Sequence, residues 1–456
     1  MQNNKLRITL FALILLSKSL LAQTALLPLK SLDTLKELST LKDFNKIKRP
    51  VIKLDLMFNE FVAVPSEVAN LKELQFLNLS NNYLTELPQQ LKNLTDLQVL
   101  LLRKNYLTEI PIGLLAKCSL KKIDYSFNKL SKLSDDIGNL SGIEDLNLSH
   151  NKISVLPASV GKMTKLVVLR LEKNQLALLP NEIGLCVALA ELNIGGNPLT
   201  KLPDGIGSLK KLSILNIESD LLVGLPNEIC GLTGLRKLIA KYNKIASLPV
   251  DFGKLSKLET LDLSNNNLSH IPTSIGGLSK MVFFSLYNNK IEDLPSSIGD
   301  LERLRELDLA FNNLKKLPVE FGNLNQLEKL YIGDNLSLDI DQLIKIVSKL
   351  PKLKHLDCSS LRIKKLPDEI KACNSIVKLN LDNNQGIELL DALNKLAEMK
   401  SLKELSLAYC GIYRFPDELA KLKHLEKLNL KNNNLTDTNR ERVKGMLPNT
   451  IVAFEN

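Results

Sequence analysis

The chain has 456 residues, of which 44% are hydrophobic but only 5% aromatic, and tryptophan is absent. Leucine and its aliphatic relatives must therefore build the core, a composition typical of repeat proteins. The formal charge of +10 is a weak bias over so long a chain, and basic residues alternate with acidic ones, which argues against nucleic-acid binding.

Residues 1–22 have the features of a secretory signal peptide. Basic Lys5 and Arg7 precede an apolar run from Ile8 to Leu16, and cleavage is expected after Ala22. The alternative is an uncleaved membrane anchor, for which the run is too short. No later segment is long and apolar enough to span a bilayer. The sequence therefore predicts a protein that is secreted, periplasmic or on the cell surface, and not membrane-spanning.

Residues 23–50 are predicted to form an N-terminal cap. The stretch from Leu32 to Phe44 places apolar residues at helical spacing, with Leu35, Leu38 and Leu41 between its ends. An open repeat stack exposes apolar side chains and unpaired strand edges, so a cover is expected there. The alternative interpretation of this stretch is a disordered linker.

Residues 51–326 repeat with a period of 23 residues that never slips, from Val51 through Leu74 and Leu97 to Leu327. Each repeat opens with a period-two stretch, such as Leu261-Asp262-Leu263, that predicts a short half-buried strand. Asparagine recurs at the ninth position, where its amide can satisfy backbone donors and acceptors of the turn. This predicted structural ladder comprises Asn82, Asn105, Asn128, Asn151, Asn174, Asn197, Asn243, Asn266, Asn289 and Asn312.

After Leu-Pro, each repeat is predicted to continue in a short helix, as at Ser296–Gly299. Neither the strand nor the helix is stable alone, but stacked repeats share a continuous aliphatic core. The fold class predicted is α/β: a curved solenoid with a parallel concave sheet and short convex helices.

From Leu327 the spacing alternates between 26 and 23 residues, which makes residues 327–424 two tandem 49-residue pairs. The longer members are predicted to carry fuller amphipathic helices, at Asp341–Leu350 and Asp391–Leu396. Residues 425–456 are predicted to be a last repeat and C-terminal cap, with Thr450–Phe454 as the final edge strand.

The pattern LxxLxLxxNxLxxLPxxIGxLxxL, present in Leu258–Leu278 and Leu304–Leu324, resembles the leucine-rich-repeat superfamily. It is most similar to the LPxxIGxL subclass of secreted bacterial repeat proteins, plant Ras-group proteins and Scribble and Erbin scaffolds. The resemblance implies a horseshoe fold and a binding role without naming a partner. Departures from the pattern are Asp220, Leu361 and Cys410 at the asparagine position and Ser134 at the proline position.

No catalytic constellation is expected. The four histidines fall in different repeats, and neither a P-loop nor a dinucleotide-binding fingerprint is present. The six cysteines are interpreted as buried thiols, because four fall at inward helix positions, while Cys358 replaces a core leucine and Cys410 an asparagine. We expect no enzyme activity, no metal and no cofactor.

Binding residues are expected on the concave face, where side chains flanking the strand leucines point away from the core. Aromatic residues gather there, and exposed Tyr and Phe suit a protein or glycan interface. Phe127 and Phe311 could instead pack inside the turn. The candidates are Tyr242, Phe283, Tyr287, Phe311, Tyr331 and Tyr409.

A second candidate cluster is basic and includes Arg103 and Arg170. The basic side chains could meet an acidic partner, but acidic residues are interspersed, so a solvated face of mixed charge is the favoured interpretation. The basic members are Arg103, Lys104, Lys122, Arg170 and Lys173, and the acidic ones are Glu144, Asp145 and Glu172.

The function expected is a monomeric, exported, non-catalytic module that binds a protein on its concave face. Two alternatives stay open: a glycan-binding surface adhesin, and an effector-type protein that acts on a host pathway.

Overall fold

The computed structural model describes residues 26–34 and 50–455. The predicted signal peptide and most of the predicted cap, including Leu35, Leu38, Leu41 and Phe44, lie outside the described residues. The chain divides into two compact units, residues 1–221 and 222–456.

The first unit is a stack of short parallel strands joined by tight helical turns. Its strands are β1 Lys53–Asp55, β2 Phe76–Asn78, β3 Val99–Leu101, β4 Lys122–Asp124, β5 Asp145–Asn147, β6 Val168–Arg170, β7 Glu191–Asn193 and β8 Ile214–Asn216. Its α-helices are α1 Leu29–Thr34 and α2 Ile112–Leu115. Its 3₁₀ helices are Ser66–Asn70, Gln89–Asn93, Asp135–Asn139, Ala158–Lys162, Asn181–Leu185 and Asp204–Ser208.

The second unit has the same plan with longer helices near its end. Its strands are β9 Lys237–Ile239, β10 Thr260–Asp262, β11 Phe283–Ser285, β12 Glu306–Asp308, β13 Lys329–Tyr331, β14 His355–Asp357, β15 Lys378–Asn380, β16 Glu404–Ser406, β17 Lys427–Asn429 and β18 Ile451–Ala453. Its α-helices are α3 Ile340–Val347, α4 Leu389–Leu396 and α5 Asp437–Met446. Its 3₁₀ helices are Asn227–Gly231, Phe252–Lys254, Thr273–Gly277, Ser296–Asp300, Val319–Asn323, Asp368–Ala372 and Asp417–Leu422.

Strand register follows the repeat spacing. Leu54 lies beside Leu77 in the first unit, a shift of one 23-residue repeat. In the second unit Leu330 lies beside Leu356, where a 26-residue repeat intervenes. Because each central strand residue is buried, a slip of one residue would bring polar side chains into the core, so the leucine spacing fixes the pairing.

The helical segment of most repeats is a 3₁₀ helix and not an α-helix. Only about five residues follow the proline before the next leucine begins the return to the sheet, as at Ser296–Asp300. This is too short for several i to i+4 hydrogen bonds, and the tighter turn suits the space. Successive turns touch closely: a Cβ added to Gly299 would lie 2.2 Å from the Glu320 carbonyl oxygen. The glycine therefore allows the repeats to stack.

The position-nine asparagines tie each turn to the preceding repeat. The side-chain amide of Asn151 donates to the carbonyl oxygens of Tyr125 at 3.0 Å and Leu148 at 3.1 Å. Its Oδ1 accepts a hydrogen bond from the Leu130 backbone N–H at 3.0 Å. These groups have no partner in the sheet, so the buried amide meets their hydrogen-bonding needs.

The departures from the pattern are accommodated locally. The Ser134 hydroxyl, in the proline position, accepts a hydrogen bond from the Asp136 N–H at the start of its 3₁₀ helix. The Cys410 thiol, in the asparagine position, donates to the Leu381 carbonyl oxygen at 3.3 Å. All six cysteines are free, and burial raises the pKa of the Cys410 thiol to about 11.

Candidate functional site

The strands of each unit present one sheet face whose residues vary from repeat to repeat. We call this the variable face; it carries the side chains on either side of the buried central strand residue, such as Glu306 and Asp308 around Leu307. Side chains alternate between the two faces of a strand, so these residues point away from the leucine core. The variable face extends into the next turn at positions seven and eight of each repeat.

In the second unit, three of the predicted aromatic residues lie in adjacent repeats of this face. The rings of Tyr287 and Phe311 meet edge to face, with centroids 5.1 Å apart. One strand further on, Tyr331 meets His355 at 5.0 Å in the same manner. Phe311 is 46% exposed, which places its ring at the surface and not inside the turn. We call Tyr287, Phe311, Tyr331 and His355 the aromatic surface.

Acidic side chains lie beside the aromatic surface. Burial, followed by the charges of Asp357, Glu306 and Asp262, raises the pKa of Asp308 to about 6, against a hydrogen bond from the Ala310 N–H that lowers it. Glu306 is paired with Lys329, whose Nζ lies 2.9 Å from its carboxylate. The face therefore offers aromatic rings next to partly buried carboxylates.

The other predicted aromatics lie apart from these rings. Tyr242 and Tyr409 are 56% and 53% exposed, each at position eight of its own repeat. Phe283 lies half-buried in β11. Within the described ranges, none of the three forms an aromatic pair.

The basic residues of the first unit divide into two groups. Arg170 lies 3.0 Å from Asp145 and 3.1 Å from Glu191, and Lys122 also pairs with Asp145 at 3.3 Å. Arg103 instead lies over the ring of Phe127, with its guanidinium carbon 4.6 Å from the ring centroid. Arg103 and Arg170 thus belong to different environments.

The variable face of β1–β3 is covered by the chain itself. Leu32 of α1 is fully buried against Phe76 and Val99, with Leu27 and Leu29 packed beside it. The Leu27 N–H donates to Gln75 Oε1 at 2.9 Å, and Gln98 Nε2 donates to the Leu27 carbonyl oxygen at 2.8 Å. This part of the variable face is therefore closed to a partner.

A surface cavity near α4 is lined in part by a structural lysine. Lys395, whose side chain is 6% exposed, places its Nζ 2.6 Å from the Leu366 carbonyl oxygen. The same Nζ lies 3.0 Å from Asp368 and 2.8 Å from Asp391. Paired on three sides, the ammonium holds neighbouring repeats together and is not free for a ligand.

The described residues present neither a metal-binding cluster nor a membrane-spanning helix. Residues 26–34 and 50–455 contain no group of three or more His, Cys, Asp or Glu arranged to hold a metal ion. None of their helices combines the length and apolar character that a membrane span needs.

Sequence reasoning missed His355, Gln75 and Gln98. His355 precedes a buried leucine in β14 and has no motif around it, so only the pairing of β14 with β13 brings it to Tyr331. The two glutamines share position two of consecutive repeats, where the alignment of repeats could have flagged them as stacked.

Parallel single-turn repeats with a buried asparagine ladder define a solenoid of leucine-rich repeats. Leucine-rich-repeat family profiles match residues 50–107, 118–176 and 241–291, and related profiles match 303–324 and 421–438. The chain belongs to the leucine-rich-repeat superfamily.

Several solved structures are similar to this chain. A leucine-rich-repeat protein of Leptospira interrogans is 29% identical, with a TM-score of 0.62 over 92% of this chain and 100% of its own. The plant peptide hormone receptor RGFR1, solved in complex with RGF2, is also 29% identical, with a TM-score of 0.62 over 80% of this chain and 64% of its own. An internalin of Listeria monocytogenes shares the fold at 20% identity and a TM-score of 0.55, over 71% of this chain and 84% of its own. No curated protein matches the sequence.

Proposed function

We propose that this chain is an exported, monomeric, non-catalytic module that binds a protein partner through the aromatic surface of its second unit. The observation that carries the proposal is the placement of Tyr287, Phe311, Tyr331 and His355 in adjacent repeats. Rigid aromatic side chains supply large contact areas at low entropic cost, which is why they dominate the binding energy of protein interfaces.

The neighbouring carboxylates favour a partner with basic side chains at the contact. Asp308 and Asp357 flank Tyr331 on its two paired strands, and their mutual repulsion contributes to the raised pKa of Asp308. A cation from the partner would relieve that repulsion and could also lie over the rings. The receptor RGFR1, which has the same fold, was solved with RGF2 bound, so peptide recognition by such a solenoid has a structural precedent.

The test is capture of surface and secreted proteins of the native host by the purified chain. We expect a Tyr287→Ala/Tyr331→Ala variant to lose the captured protein, because removing two central aromatic anchors typically costs several kcal/mol of binding. Tyr413→Ala is the matched control, since Tyr413 is 73% exposed and outside the strands. Retention of the partner by a folded double variant would contradict the proposal.

A glycan is the second candidate ligand, because the half-exposed ring of Phe311 could stack on a sugar. A glycan array separates the two: binding that is lost in Phe311→Ala, with no protein captured, would favour the glycan.

Export rests on the leader features of residues 1–22. Mass spectrometry of the protein recovered from its native host should find a mature N-terminus at Gln23 in the extracytoplasmic fraction. An intact leader in the cytoplasm would contradict export.

A further inference from the structure

A second surface, in the first unit, carries exposed cations around a stacked pair of rings. Phe127 and His150 stack face to face, with centroids 3.9 Å apart and ring planes 11° from parallel. Arg103 and Lys104 lie over the Phe127 ring, at 4.6 Å and 5.8 Å from its centroid. We call these four residues, together with Lys173, the cationic turn patch.

The repeat itself produces this arrangement. Lys104, Phe127, His150 and Lys173 all occupy position eight of four consecutive repeats, and each has a positive φ between 53° and 56°. The same backbone conformation at the same place in each turn projects the four side chains side by side along one edge of the sheet. Arg103, one residue earlier at position seven, extends the patch toward the strands.

The positive charge of the patch is not compensated. Among the described residues, Arg103, Lys104 and Lys173 take part in no ion pair, and all three are exposed. The carboxylate of Asp145 in β5 is already shared by Lys122 and Arg170. Desolvation, followed by the charges of Lys173 and Arg103, lowers the pKa of His150. The positive charges of both residues therefore act on the His150 ring.

We propose that the cationic turn patch binds an acidic segment of a protein, with carboxylates on Arg103, Lys104 and Lys173 and an apolar or planar side chain against Phe127. Charge complementarity selects a negatively charged ligand, and the stacked rings supply a flat apolar contact that a cluster of lysines alone lacks. Glu172 adjoins Lys173 in the chain, so a continuous polyanion would meet a carboxylate there, which favours a short acidic peptide over a nucleic acid or a sulfated chain.

This surface is separate from the aromatic surface, so its test does not depend on the proposed function. The probe is a fluorescein-labelled peptide with four glutamates and one phenylalanine, and its neutral analogue has four glutamines. Anisotropy titration of the full chain in 150 mM salt should show saturable binding of the acidic peptide only. Lys104→Glu/Lys173→Glu should weaken that binding by about tenfold or more, because two contacting charges become repulsive.

The matched control is Lys165→Glu/Lys201→Glu, which makes the same change in net charge at two exposed lysines outside the patch. It should bind the acidic peptide like the wild type, and Phe127→Ala should bind more weakly although every cation of the patch remains. The proposal would be overturned if the wild type did not bind the acidic peptide, or if both double variants lost the same amount of affinity for it. It would also be overturned if the wild type bound heparin more tightly than the acidic peptide and the patch variant lost that heparin binding. Circular dichroism confirms that each variant is folded.

Discussion

The backbone N–H of Asn197 donates to Oδ1 of Asp220, one turn further along the first unit, at 2.7 Å. Asp220 occupies the place where most repeats have asparagine, and it is only 4% exposed. Its second oxygen, Oδ2, is buried without a hydrogen-bond partner. An asparagine amide in this place would donate to backbone carbonyls, which an ionised carboxylate cannot do.

Replacing Asp220 with asparagine should stabilise the first unit, increasingly as the pH rises. Burial raises the pKa of Asp220 to about 8, an effect that the charge of Glu218 reinforces and the hydrogen bond from Asn197 opposes. An unfolded aspartate has a pKa of about 3.9, so the folded state holds the proton more tightly and the wild type loses stability between about pH 4 and pH 8. Asp220→Asn removes this loss and should gain about 1–3 kcal/mol at pH 8.

Denaturant unfolding of both proteins at pH 5 and pH 8 measures the difference. The gain should be smaller at pH 5 than at pH 8. A gain that is equal at both pH values, or a loss of stability at pH 8, would contradict the assignment of a protonated buried carboxyl.

The reverse substitution, Asn174→Asp, should create the same weakness in a regular turn. The Asn174 amide donates to the carbonyl oxygens of Leu148 and Leu171 at 3.0 and 2.9 Å, and a carboxylate would lose both bonds. We expect a loss of about 1–3 kcal/mol at pH 8 and a smaller loss at pH 5. Gln175→Glu, one residue later and exposed, is the control and should leave the unfolding midpoint unchanged.

Tyr125→Phe should stabilise the first unit. Tyr125 is fully buried at a position where most repeats have leucine, and its hydroxyl has no hydrogen-bond partner among the described residues. Removing a buried hydroxyl without a partner should gain about 1 kcal/mol. Thermal unfolding checks this against Tyr106→Phe, whose ring is 42% exposed and whose melting temperature should not change. A lower melting temperature for Tyr125→Phe would mean that the hydroxyl is hydrogen-bonded.

Leu32→Asp should release α1 from the variable face of β1–β3. The fully buried Leu32 side chain packs on Phe76 and Val99. A carboxylate in its place would be buried without a charged or hydrogen-bonding partner, which costs too much free energy for α1 to stay docked. The exposed apolar face should bind the dye ANS, raising its fluorescence above that of Leu26→Asp, since Leu26 is already 42% exposed. Equal dye fluorescence in both variants would show that the segment does not cover this face.

The leucine spacing was sufficient to predict the strands, their order and their register, because each repeat buries its apolar residues only in one alignment with its neighbours. The predicted final strand is confirmed at Ile451–Ala453. The short convex helices were predicted in the right places. Their hydrogen-bonding pattern was not predicted, since the pattern of apolar residues does not distinguish five residues of 3₁₀ helix from a turn of α-helix.

The contacts around the candidate binding surfaces were harder to predict. The contact between Leu27 and Gln75 joins residues 48 positions apart, and no periodicity links the N-terminal segment to the repeats. The stack of Phe127 on His150 depends on a shared left-handed turn conformation, which the residue types alone do not reveal. The residues at the variable positions follow no repeating pattern in the sequence. Which of their side chains contact one another becomes apparent only in the folded stack of repeats.

The most direct test of partner binding on the second unit is hydroxyl-radical footprinting of the chain with and without its captured partner. Aromatic side chains react readily, so oxidation of Tyr287, Phe311 and Tyr331 reports their exposure individually. The account predicts that the partner protects these three residues while Tyr413 stays reactive. Unchanged oxidation of all three, with protection confined to the 3₁₀ helices, would contradict it.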